Sequence, residues 1–214
     1  MHKTVQNLLN INTQIKTKIS ELKYNYTPEI IAVSKTFLIS HIMPLIENGH
    51  IHFGENKVQE ALEKWPEIKK NKKNIKLHMV GKLQTNKVKF ALKIFDYIHS
   101  LDSIKLAKEI SKVQGKINKK PKIFIQINIG DESQKSGINK IELLDFYNLC
   151  IKLDLDIIGL MCLPPINDNS NYYFSEMKKL NEKINLKELS MGMSSDYIAA
   201  INYSSTFLRI GTKI

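Results

Sequence analysis

At 214 residues, with 43% hydrophobic and 25% charged residues, the chain has the composition of a soluble globular protein and enough apolar material for one sizeable core. A net charge of +11 raises nucleic acid as a partner, but the lysines are spread along the chain rather than clustered with aromatics, which argues for a solvated surface. No apolar run reaches the roughly 18 residues of a membrane span, the amino terminus lacks a signal-peptide core, and Cys150 and Cys162 form no CxxC pair, so a cytoplasmic protein with buried, reduced thiols is expected.

Val5, Leu8, Ile15, Ile19 and Leu22 recur at helical spacing and predict an amphipathic first helix. A β-rich run follows, EIIAVSK, from Glu29 to Lys35. HIMPLIENG then predicts a helix ended by Gly49, HIHFG a strand, VQEALEKW a helix and IKLHMVG a strand. KVKFALKIF, YIHSLD, IKLAKEISKVQ and KIFIQINIG continue as helix, strand, helix and buried strand. KIELLDFYNLCIKL is a helix, and LDIIGLMCL a strand stopped by Pro164 and Pro165. YYFSEMKKLNEKI, KELSMGM, SDYIAAINY and TFLRIG complete the alternation. Two lysine runs, KKNKKNIK (Lys69 to Lys76) and KINKKPK (Lys116 to Lys122), predict solvated loops.

Eight strands, apolar on both faces and separated by helices, are the count of a closed (β/α)8 barrel, an α/β fold of TIM-barrel type. Residues 1–214 are expected to form it as one domain, with an open doubly wound sheet as the alternative. No ordinary helix follows the eighth strand, and the extra N-terminal helix is expected to fill that place in the outer ring.

Such barrels carry function at the carboxyl ends of their strands. Lys35 follows the apolar IIAV, so its stem is predicted to emerge from the core as a desolvated amine with a depressed pKa, the requirement for a Schiff base. A strand-end lysine reaching into water is the plainer alternative. In LSMGMSSD and RIGT, Gly192 and Gly211 let backbone amides approach an anion, while Ser190, Ser194 and Thr212 offer hydroxyls. Ser194 or Ser195 capping the helix at DYIAA is the alternative there. His50, His52, His78 and His99 form no recognisable metal set, and a serine-hydrolase elbow, a P-loop and a GxGxxG are missing. Arg209 is the chain's only arginine.

The stretches AVSKT, HFGENKVQE, VGKLQTNK, HSLDS, QINIGDESQKSGI, GLMCLPP, LSMGMSSDY and STFLRIGTKI run in order from Ala32 to the end. Together they resemble the pyridoxal phosphate homeostasis proteins, single-domain relatives of the alanine racemase barrel. The resemblance implies that pyridoxal 5′-phosphate is held as an internal aldimine on Lys35. It places Ser190 and Ser194, with Gly211 and Thr212, around the phosphate, Arg209 at the pyridine nitrogen, Asn56 beside the ring and His78 nearby, and it counts Met191 among the cofactor-binding residues. The implied partners are pyridoxal phosphate and apo-enzymes that use it, with no nucleic acid, membrane or metal, and the protein is expected to act as a monomer.

Two function classes follow. A guanidinium only donates hydrogen bonds, so one placed at the pyridine nitrogen keeps that nitrogen an unprotonated acceptor and a poorer electron sink. That favours buffering and delivery of the cofactor over substrate turnover. The alternative is an amino-acid racemase of the alanine racemase fold type, which resembles two-domain proteins whose added β-domain supplies a catalytic base and encloses the site.

Overall fold

The structure, a computed structural model, describes residues 1–166 and 168–214. Its strands are β1 (Glu29–Val33), β2 (His52–Glu55), β3 (Lys76–Met79), β4 (Tyr97–Leu101), β5 (Lys122–Ile127), β6 (Asp156–Cys162), β7 (Glu188–Met193) and β8 (Phe207–Ile210). All neighbours pair in parallel, and β1 pairs with β8 through Ile31 opposite Arg209 and Ala32 opposite Ile210, so the barrel is closed. The open-sheet alternative is thereby excluded.

The helices are α1 (Lys3–Leu22), α2 (Ile39–Glu47), α3 (Val58–Lys64), α4 (Pro66–Asn71), α5 (Val88–Ile94), α6 (Ile104–Ile117), α7 (Leu143–Lys152), α8 (Ser170–Lys183) and α9 (Tyr197–Ile201). Two predicted boundaries need correction. The lysine run expected as a loop begins inside α4, which Pro66 opens at its first turn, where a missing N–H costs nothing. The second run is also partly helical, because α6 continues to Ile117 before Asn118 ends it in the left-handed region.

α1 buries Val5, Leu8, Ile11, Ile15 and Ile19 on one stripe and packs against α2 and α9. It stands in the ring place that would follow β8, as the sequence pattern predicts. Burying one such side chain stabilises by about 1.5–3 kcal/mol, so this stripe is what binds α1 to the barrel. Cys150 and Cys162 are free and fully buried, and burial pushes both thiols up to about 12.

The barrel interior differs from the expectation of strands apolar on both faces. Ile31, Tyr97, Phe124, Met161 and Phe207 form an inner apolar cluster. Beside it the buried groups include His52, His78, His99, Ser190 and Arg209, all hydrogen-bonded. Alternation along a strand hides this, since a polar residue every second position also fits a solvated face.

Ile15→Ala should lower stability by about 2–5 kcal/mol through the cavity it leaves under α1. Urea unfolding checks this as a lower midpoint at unchanged slope.

Candidate functional site

The carboxyl ends of the strands surround a cavity of about 720 Å³. Lys35, Asn56, Ser194, Arg209, Gly211 and Thr212 all stand in its wall, brought there from the ends of β1, β2, β7 and β8. Lys35, Arg209 and Lys213 give the wall three cations, and no carboxylate is among its described residues. A cleft of this size suits a small molecule, and its charge favours an anion.

The lysine is placed differently from the expectation. β1 ends at Val33, and Ser34 to Thr36 leave it as a turn on which Lys35 is exposed rather than desolvated. The fold supplies placement instead. Thr36 adopts φ 64°, which strains a β-branched residue, so the turn needs outside support. Lys64 Nζ donates to the Ser34 carbonyl at 2.9 Å, to Glu55 Oε1 at 2.9 Å and to Glu60 Oε1 at 3.0 Å. Ser34 Oγ also donates to Glu55 Oε1, at 2.8 Å, and the Trp65 indole N–H joins them at 3.0 Å. Glu60 Oε1 accepts the Thr36 N–H at 2.6 Å. The two residues flanking Lys35 are thus tied to α3 and the end of β2. Only the Glu60–Lys64 spacing of four was visible in the sequence, because the other partners meet through the fold.

Arg209 is 5% exposed, and burial pulls its guanidinium below its usual pKa. Three acceptors hold it: Nη1 donates to the Ser190 carbonyl at 2.6 Å and to Ser190 Oγ at 2.5 Å, and Nη2 to the Cys162 carbonyl at 2.8 Å. Of the five N–H donors of a guanidinium, two have no such protein acceptor among the described residues. The Cys162 carbonyl is inaccessible to sequence reasoning, since any residue would offer it.

Beyond Arg209, the residues expected at the site from β3, β7 and β8 divide into two groups. Ser194 is not the helix cap: Asp196 precedes α9, and Ser194 Oγ instead accepts the Gly211 N–H at 3.2 Å. This joins the loops after β7 and β8. Asp196 Oδ1 accepts the Met193 N–H at 2.6 Å and closes the turn. Gly192, at φ 91°, carries the bulge of β7, where an added Cβ would lie 2.7 Å from the Ala200 methyl. Ser190, Met191 and His78 are fully buried and do not line the cavity. Met191 packs between sheet and helices, whereas Ser190 and His78 point into the barrel beneath Arg209. Among the described residues no His, Cys, Asp and Glu cluster could hold a metal.

The comparisons with known proteins bear on the family and the fold. The model of the alanine racemase N-terminal domain family matches residues 11–214. The pyridoxal phosphate homeostasis protein of Haemophilus influenzae is 36% identical, over 98% of this chain and 94% of its own length. The chain belongs to the pyridoxal phosphate homeostasis protein family. Its Synechocystis member is 37% identical over 86% of this chain and 88% of its own. PipY of Synechococcus elongatus, solved with pyridoxal phosphate bound, superposes at a TM-score of 0.76 and 30% identity, covering 93% of this chain and 98% of that one. Among the described residues no helix is long and apolar enough to cross a membrane.

Two outcomes follow for this family member. Lys64→Met leaves the buried Glu55 carboxylate without its cation, and Glu55 Oε2 already has no hydrogen-bond partner among the described residues. Breaking such a pair costs about 3–5 kcal/mol, and adding Glu55→Gln should recover part of it in urea unfolding. His78 and His99 are held well below 6.5, first by desolvation. Below about pH 6.5 the unfolded chain binds protons that these two rings refuse, so stability falls as pH drops. Each contributes a slope of up to about 1.4 kcal/mol per pH unit, and equal urea midpoints at about pH 7 and 5 would contradict this.

Proposed function

We propose that this chain binds pyridoxal 5′-phosphate in the cavity, attached covalently through the Lys35 amine, and serves to buffer and deliver it rather than to turn over a substrate. The observation that carries this is the wall itself: an exposed amine, a held guanidinium with N–H groups to spare and no described carboxylate, in one cleft. The residues present fit the cofactor. All five residues it needs line the cavity, and on this reading Ser194, Gly211 and Thr212 would hold the phosphate, Asn56 would flank the ring and Arg209 would donate to the pyridine nitrogen. When bound, the cofactor supplies an aldehyde for amines and an electron sink for carbanions.

Arg209 then sets the balance between carrier and enzyme. Its guanidinium is effectively always protonated and requires an acceptor at the ring. It therefore withholds from that nitrogen the proton that carbanion chemistry needs. Ser190 serves the site by fixing Arg209 and His78 acts one layer below, whereas Met191 packs behind the sheet and takes no part in this reading. The reading includes action as a monomer and transfer of the cofactor to apo-enzymes that require it.

Lys35→Ala should lose the cofactor on dialysis, with affinity reduced at least tenfold, checked by absorbance of the retained fraction. Arg209→Glu can accept from a protonated ring nitrogen, so it should shift the visible absorption and raise amino-acid racemisation above the parent level. Substantial racemisation by the parent would instead support the racemase alternative.

A further inference from the structure

Three imidazoles run through the barrel interior as one hydrogen-bonded column. His52 Nδ1 lies 2.9 Å from His78 Nε2, His78 Nδ1 lies 2.9 Å from His99 Nε2, and His99 Nδ1 lies 2.8 Å from Ser190 Oγ. Ser190 Oγ in turn accepts an Arg209 Nη1 proton. At the opposite end His52 Nε2 faces Glu29 Oε2 at 3.5 Å. The column therefore spans from a carboxylate at the start of β1 to the guanidinium in the cavity wall.

Each ring-to-ring bond needs one N–H and one lone pair, so the column has a direction and only two are available. In one, Ser190 O–H donates to His99 Nδ1, and the Nε2 protons of His99, His78 and His52 point in turn to His78, His52 and Glu29. In the other, every proton points back toward Ser190. The second arrangement aims the His52 Nε2 lone pair at the Glu29 carboxylate. It also leaves the Ser190 hydroxyl proton without an acceptor among the described residues. The first satisfies both ends, with a donor at Arg209 and an acceptor at Glu29.

We propose that the column is locked in the first direction, with His52, His78 and His99 each protonated on Nε2, and that it positions Arg209 by keeping the Ser190 oxygen turned toward the guanidinium. The three histidines are positioning residues, since they act through Ser190 and none lines the cavity. Packing makes the column a fixed support rather than a relay. A proton passed along it would reverse every bond, and each ring would have to turn before the next proton could follow. His78 is stacked on Tyr97 at 4.2 Å and His99 on Phe124 at 4.3 Å, with Phe207 against both histidines. Such rings cannot turn freely in a close-packed interior. Only the consequence for the cofactor rests on the function proposed above; the direction of the column does not.

The test is long-range proton–nitrogen NMR of the full chain labelled with 15N at histidine, without added ligand, with signals assigned by single substitutions. Between about pH 6 and 8 all three rings are expected neutral with the proton on Nε2. A proton on Nδ1 of any of the three, or titration of one in that range, overturns the proposal. Two variants test the positioning. His99→Leu removes the acceptor for the Ser190 proton, whereas His99→Asn keeps an amide oxygen near the Nδ1 position. With pyridoxal phosphate added, His99→Leu is expected to shift the visible absorption and weaken retention about tenfold, and His99→Asn to restore much of both. A His99→Leu spectrum and retention equal to the parent's would overturn the positioning role. A parent protein that takes up no pyridoxal phosphate sinks the proposed function instead and leaves the tautomer result standing.

Discussion

A guanidinium taken out of water must find acceptors, and at the mouth of this barrel they come from the protein's own walls. Arg209 is held by Ser190 from β7 and by the Cys162 carbonyl from β6. Burying a charge in this way costs several kcal/mol unless its protons are satisfied, so three strands are committed to one side chain. Lysine would not answer the same need. Its compact ammonium lacks the planar fork that reaches two carbonyls and still faces the cavity.

The adjacent side of the cleft, at the end of β1, is built by a different device. Lys35 sits on an exposed turn whose backbone is fixed from behind by Lys64, Glu55 and Glu60. The two strand ends complement each other: one presents an exposed amine from a held turn, the other a held cation. The Ser194–Gly211 contact ties the last two loops together. On the function proposed above, such a cleft would grip pyridoxal phosphate by its ends, an arrangement that suits release as much as capture.

The alternation of strands and helices was legible because each element is long enough to show its own period, and the barrel followed from counting. Strand ends were less so. β1 stops two residues before the pattern suggests, because Ser34 turns to meet Glu55, a partner whose nearness only the fold creates. α4 was hidden by lysines that read equally well as a loop. The histidine column escaped for a related reason. Tested as metal ligands, His52, His78 and His99 make no set, yet each lies on an inner face. His78 is opposite Gly54, two places beyond His52, and His99 lies two places beyond Tyr97, the partner of His78. Knowing the register would have revealed the column; the sequence alone carried only three separate histidines.

Reduction with borohydride in the presence of pyridoxal phosphate, followed by peptide mapping, tests the central claim most directly. The account predicts a single pyridoxyl adduct, on Lys35. An adduct spread over the surface lysines, or none at all, would contradict it.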